Sequence, residues 1–388
     1  MSVRTWTLTD VAAGAHVEQL SLCPEDVGGR ARDYEVSKRT LRGGLTDGVE
    51  VVRVTTGDLT YEVLPTRGMG IWKVWVRDEE IGWHSPVRGP VHPKRVPLME
   101  PSGLGWLDGF DELLVRCGLE SNGAPDFDAQ GRLRYPLHGR IANRPAHKVE
   151  VSIDGDTGRI TVTGVVEETR FHFLKLRMTS SVTTQVGETG LSIRDEVENV
   201  SGSPAEMQVL YHVNFGEPLL DPQSQFIAPV KRVVPRDPRA AEGIATWSQY
   251  APPVAGYPEQ VYYLELLPAA QGLTPTLLKN SQSSRGVGIL VNTQQLPCYS
   301  LWKNTTASPD GYVTGLEPGT NFPNPRSHEG RQGRTVKLAP GAKTEFELRL
   351  EVYPTPVEVA RAEAAIAALQ ATAKPQVFDQ PQPGWCVA

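Results

Sequence analysis

Val149-Glu150-Val151-Ser152-Ile153, then Asp154-Gly155-Asp156-Thr157-Gly158, then Arg159-Ile160-Thr161-Val162-Thr163 is the stretch whose reading decides the fold. Apolar, mostly β-branched residues alternate with polar ones on both sides of an Asp/Gly-rich turn. Each flank therefore has one apolar face with a period of two, which suits a strand and not a helix. Asp and Gly tolerate the turn conformations that reverse a chain, so the whole stretch is read as a β-hairpin. The same pattern recurs at Leu174 to Val186, Gly187-Glu188-Thr189-Gly190 and Leu191 to Val200. It recurs again at Thr335 to Leu338, Pro340-Gly341 and Lys343 to Val352. More than a dozen such strands favour two packed sheets over one flat one, so the fold class expected is all-β, a large antiparallel β-sandwich.

One long helix is expected, at the C-terminus, and a shorter one is left open, its apolar stripe read as core. The shorter covers Asp108 to Cys117, where Phe110, Leu113, Leu114 and Cys117 recur at helical spacing. The long one starts at Thr355 as N-cap, with Pro356 at the first helical position and Glu358 as the capping-box partner, and runs through an Ala-rich segment to Ala373. Before Val49 the chain is polar and rich in Gly and Arg, and after Ala373 it becomes a Pro/Gln tail. No Gly-, Ser- or Pro-rich linker interrupts the strands between. The division expected is an N-terminal arm over 1–45, one β-sandwich domain over 46–354, and a C-terminal helix and Pro-rich tail over 355–388.

Composition narrows the function classes. Of 388 residues, 39% are hydrophobic and 22% charged, a globular balance that supports a sizeable core. The formal net charge of −6, from 39 Lys and Arg against 45 Asp and Glu, argues against a nucleic-acid partner. Cys23, Cys117, Cys298 and Cys386 are few and far apart, with no Cys-x-x-Cys pair, which fits a reducing cytoplasm. The first twenty residues contain no apolar signal-peptide core, because Thr7, Thr9, Asp10, His16 and Glu18 interrupt them. No run approaches the ~20 apolar residues of a membrane span. A soluble protein with no membrane or nucleic-acid partner is expected, its oligomeric state left open.

Two segments carry the chemistry. Tyr211-His212-Val213-Asn214-Phe215-Gly216 sets a histidine at the end of an apolar run from Met207, and Gly315-Leu316-Glu317-Pro318-Gly319-Thr320 sets a glutamate in what reads as a Gly/Pro-bounded loop mouth. Imidazole titrates near neutral pH, and a carboxylate in a dry cleft is pushed up towards it, so the two suit paired proton transfer. On residue type alone, a hydrogen-bonded structural His and a solvated Glu are the commoner fates.

The segment around His212 resembles the histidine strand end of galactose mutarotases and other aldose 1-epimerases, and Leu316-Glu317-Pro318 resembles their C-terminal Glu-Pro loop. The resemblance implies that His212 is the general acid that protonates the ring oxygen and Glu317 the general base at the anomeric hydroxyl. Leu137-His138-Gly139-Arg140-Ile141-Ala142-Asn143-Arg144-Pro145 is similar to the family's sugar-holding histidine and arginine stretches, here compressed into one run, and implies His138 and Arg140 as substrate-binding residues. The order Leu64-Pro65-Thr66-Arg67-Gly68-Met69, Cys117-Gly118-Leu119, Leu137-His138-Gly139-Arg140 and Glu317-Pro318 is closer still to a mutarotase-like family known only as a domain of unknown function. The implied fold is a very large sandwich with a cleft on one face, and the implied reaction needs no cofactor.

Beside the resemblance, Arg67 after Pro65-Thr66 is the best candidate for fixing sugar hydroxyls, and Lys303, after Trp302 at a strand end, is expected to reach the same mouth. Trp72, Trp75, Trp83 and Trp106 are candidate stacking walls, although packing is the commoner fate of tryptophan. Asp108 and Asp111 read as helix-start residues. The basic clusters Arg88 to Arg95 and Lys231 to Arg239 keep an anionic sugar open as substrate. Three alternatives stand beside a mutarotase: an isomerase or lyase acting on a keto sugar or uronate; a metal-assisted site using His138, His212 and Glu317, for which no local ligand spacing speaks; and a sugar-binding module without catalysis.

Overall fold

The computed structural model describes residues 3–387. Its two large sheets have 11 and 14 strands, nearly all pairing antiparallel. The deciding hairpin forms as expected: Lys148–Asp154 pairs with Arg159–Thr169, Val151 opposite Val162 and Asp154 opposite Arg159, and Gly158 takes the positive φ of 68° that ends the turn. Lys175–Gln185 and Gly190–Asn199 extend the same 11-stranded sheet. Val149, Val151, Ile153, Ile160 and Val162 are fully buried, while their alternate neighbours are part-exposed, as a half-covered sheet requires.

The third expected hairpin does not form. Val336–Leu338 pairs with Ala205–Met207, whereas Lys343–Tyr353 enters the 11-stranded sheet between Gly190–Asn199 and Gly286–Val291. The turn at Pro340-Gly341 thus passes the chain from one partner to another, which a local pattern cannot distinguish from a hairpin. The short helix left open over Asp108 to Cys117 does not form either. Gly105–Gly109 is a short 3-10 turn, and Leu114–Leu119 is a strand buried along its whole length. A strand covered on both faces loses its period of two, so its apolar spacing imitates a helix. The C-terminal helix is Pro356–Gln370, capped by the Thr355 hydroxyl accepting from the Glu358 N–H, and Val359 and Ile366 bury against Leu277. The segment before Val49, read as an arm, supplies strands: Val3–Asp10 pairs with Lys148–Asp154, and Tyr34–Thr40 with Glu50–Thr56.

The 14-stranded sheet carries the site. Its order runs Gln376–Val377, Val230–Pro235, Gln260–Leu266, Cys298–Asn304, Val313–Gly319, Ala205–Gly216, Leu114–Leu119, Gly70–Val76, Leu59–Leu64, Glu50–Thr56, Tyr34–Thr40, Leu20–Leu22. Apolar side chains of both sheets meet in one core, Val149, Val151 and Val162 from one and Val52, Tyr61, Ile71 and Tyr211 from the other. Inside it a buried ion pair joins the sheets: Arg116 donates to both Asp195 oxygens and to the Ser180 hydroxyl, and the Tyr211 hydroxyl also donates to Asp195. Among the described residues no helix is long and apolar enough to cross a membrane.

Candidate active site

In the strand Ala205–Gly216, Met207, Val209, Tyr211, Val213 and Phe215 point into the core, so His212 and Asn214 project from the opposite face. His212 is therefore in mid-strand, not at a strand end. Glu317 is likewise in a strand, Val313–Gly319, and not in a loop mouth. The flanking pairs Leu210 with Gly319 and Val213 with Leu316 fix a register that sets His212 opposite Glu317. Their side chains meet, with His212 Nε2 3.2 Å from Glu317 Oε1, and they are 4% and 3% exposed.

The proton positions follow from hydrogen bonds. Asn214 Nδ2 donates to the Glu112 carbonyl at 3.0 Å, which leaves Asn214 Oδ1 to accept from His212 Nδ1 at 2.6 Å. With its proton on Nδ1, His212 presents a lone pair on Nε2. Burial, followed by the neighbouring His138, holds the His212 pKa well below the usual histidine value. Burial pushes the Glu317 carboxyl up to about 8, the nearby Glu259 adding to the effect and Arg236 opposing it. Near neutral pH the pair is thus uncharged, the protonated Glu317 donating to the bare Nε2 of His212.

These groups lie in a cleft of about 470 Å³. His138 lines it, its Nδ1 donating to the Asn122 carbonyl at 2.9 Å, and burial lowers its pKa to about 4, so its Nε2 is also an acceptor. The His138 and His212 rings are 5.3 Å apart. Trp106 packs edge-on against His138 at 4.6 Å, and Phe110 and Trp302 against His212 at 5.2 and 5.4 Å. At the rim Trp302 Nε1 donates to Glu259 at 2.6 Å, and Arg236 binds both Glu259 and Asp237. Gly315 leaves the room in which the dyad sits: a Cβ there would lie 2.5 Å from Glu317 Oε1, 2.9 Å from His212 Cε1 and 3.2 Å from Trp302.

Three of the expected binding residues lie elsewhere. Arg67 is 1% exposed and does not line the cleft; it donates to Glu112, to the Val91 and Gly109 carbonyls and to Asn143 Oδ1, so it braces the cleft wall from behind. Lys303 follows Trp302 along one strand, and the period of two that brings Trp302 into the cleft turns Lys303 away. It donates to the Thr246 and Gln249 carbonyls, and burial lowers its pKa to about 8. Arg140 lies two residues beyond His138 in a neighbouring recess. Of the tryptophans considered, Trp83 and Trp106 line the cleft, while Trp72 donates to Asp111 and Trp75 lies under Arg53.

The sequence reading missed Asn214, Glu259 and the role of Arg236. Asn214 had a signal, being two positions from His212 and so on the same face. Glu259 had none, because only the fold brings its Pro-rich loop to the rim.

The chain matches, over residues 46–352, the family model described as a domain of unknown function, DUF4432. Among solved structures it is similar to a Klebsiella pneumoniae protein provisionally named an aldose 1-epimerase, with 32% identity, a TM-score of 0.94, and 98% of this chain and 99% of that one covered. It is also similar in fold to galactose 1-epimerase from Lactobacillus acidophilus (12% identity, TM-score 0.54, covering 81% and 97%). A galactose mutarotase-like protein from Clostridium acetobutylicum gives 15% identity and a TM-score of 0.54, covering 79% and 95%. At such identities these last two show a shared fold alone. No protein of curated function matches the chain.

Proposed function

The chain belongs to the DUF4432 family and has a galactose mutarotase-like β-sandwich, and from that premise we propose that it is an aldose 1-epimerase-like isomerase, interconverting the anomers of a free aldose by acid/base ring opening. The observation that carries this reading is the buried 3.2 Å contact between His212 and Glu317 in the cleft. A sugar that enters replaces their mutual hydrogen bond with two bonds to itself. Glu317 then gives its proton to the ring oxygen while His212 Nε2 takes one from the anomeric hydroxyl, and the C1–O5 bond breaks to leave an aldehyde. After rotation about the C1–C2 bond, closure reverses both transfers and returns the proton to Glu317. The acid and base are thus exchanged relative to the roles the resemblance implies, because Asn214 fixes the His212 tautomer. Each positioned group contributes on the order of 10²–10⁴ in rate.

His138 Nε2 offers a hydroxyl acceptor, and Trp106 and Trp302 offer flat apolar walls. Arg236 is already neutralised by Asp237 and Glu259, which favours an uncharged sugar over a uronate or sugar phosphate. Four free cysteines suit a cytoplasmic setting. Polarimetry or saturation-transfer NMR on a panel of aldoses, uronates and keto sugars tests the reaction. Glu317→Gln and His212→Asn should each slow interconversion at least about a hundredfold while sugar binding stays within about tenfold. Sugar binding without acceleration by the wild type would favour a binding module. A new sugar in place of an anomer would favour an isomerase or lyase.

A further inference from the structure

A second recess of about 390 Å³ opens beside the cleft, lined by Arg140, Arg144, Arg170, Asn143, Met99 and neighbouring apolar side chains. Its three arginines are unusual in a chain with more acidic than basic residues. Among the described residues none of them forms an ion pair. Arg140 reaches only Met99 Sδ, at 3.6 Å, and Arg170 lies over the Phe173 ring. Glu168, a buried carboxylate on which Arg140 acts from a distance, is turned to the N–H groups of Leu119 and Glu120. A second observation comes from Asn143, which is only 8% exposed. Its Oδ1 accepts from Arg67, and its buried Nδ2 has no partner. That amide is closed off from solvent, so Asn143 forms the fixed wall behind the arginines.

Three arginines without carboxylate partners lining one recess match the acceptors of a tetrahedral oxyanion, which guanidinium binds in bidentate fashion. We propose that this recess is a binding site for a phosphoryl group, either free phosphate or the phosphate of a sugar phosphate, separate from the cleft. The two share a wall. Pro93, Leu98 and Met99 line the recess and Leu104, Trp106 and Leu107 line the cleft, Leu98 packing on the cluster that holds Trp106, while Arg140 and His138 are two residues apart. An anion held by Arg140 and Arg144 therefore fixes the segment that bounds the cleft.

The test reads binding and not turnover, so its outcome is independent of the mutarotase assignment. Inorganic phosphate and glucose 6-phosphate are titrated calorimetrically into the full chain, and thermal midpoints are followed against chloride at matched ionic strength. Saturable binding and a raised midpoint are expected with at least one of the two phosphates. Phosphate alone would identify the free ion as the ligand, and glucose 6-phosphate alone the sugar phosphate. The Arg140→Gln/Arg144→Gln double variant should weaken binding at least about tenfold, and Arg132→Gln, which loses a surface pair with Asp128, should not. If the double variant fails to fold, Arg170→Gln on the same recess serves in its place. Binding that persists undiminished in these variants, or a midpoint shift that chloride reproduces, would overturn the proposal.

Discussion

His212 and Asn214 are two positions apart on one strand face, and the fixed amide of Asn214 leaves His212 Nε2 as the acceptor of the dyad. Activity that needs a proton on Glu317 should fall as pH rises through about 8, while the acid limb should lie well below the usual histidine range. A pH–rate profile checks both limbs. Asn214→Asp places a carboxylate against Nδ1 and favours the charged imidazole, so it should move the acid limb up towards neutrality. Stability carries the same signature. Between about 6.5, the ordinary histidine value, and about 8, native Glu317 holds a proton that the unfolded chain has lost, so stability should decline as pH rises. Below that window the unfolded chain protonates His212 and His138 while the fold keeps them neutral, which offsets the protons that native Glu317 and Asp111 retain, so the decline should level off. Asp111, raised to about 7 by burial, adds to the decline over its lower part. Comparing denaturation midpoints of wild type and Glu317→Gln therefore isolates the Glu317 contribution, and parallel curves would refute it. Motif order made the meeting of His138, His212 and Glu317 legible. The burial of Arg67 was not legible, because its acceptors come from segments around 91, 109, 112 and 143.

At the scale of elements, side-chain alternation decides what reaches the cleft. It brings in His212, held by the buried Asn214 on the same face, and Trp302 with Asn304, and it excludes Lys303. Gly315 stands across from Asn214 and Trp302 in the sheet with space only for hydrogen. Gly315→Ala should push the Glu317 carboxyl and His212 ring apart and lower turnover by roughly a hundredfold, the effect of a displacement near 1 Å. Polarimetry beside a thermal midpoint would separate this from unfolding, since an unchanged rate in a folded variant contradicts the packing argument. Hairpins were readable where a strand pair is half-covered, as at 148–169. They were unreadable where both faces are buried, as at Leu114–Leu119, and where the chain changes sheets, as at Pro340-Gly341.

Across the whole molecule, the Arg116–Asp195 pair ties the site-bearing sheet to its partner directly beneath the dyad, with Tyr211 adjoining His212 in sequence. Asp195→Ala would leave the guanidinium buried without its counter-charge and should cost about 3–5 kcal/mol, measurable by denaturant unfolding; a loss below about 1 kcal/mol would show that water reaches the pair. That two sheets form was legible from repeated alternation, whereas strand order was not, since it depends on partners far apart in the chain. That order has a consequence for synthesis. In the 14-stranded sheet every strand on one side of Ala205–Gly216 comes from residues before 120, and every strand on the other side from residues after 229. While the chain is being translated, the earlier half is made first and offers the largely apolar edge Leu114–Leu119, with Arg116 still lacking Asp195, and no neighbour on that side until residue 216 has left the ribosome. An exposed apolar edge is a template for aggregation, so chaperone cover matters most in that interval, well before His212 and Glu317 meet.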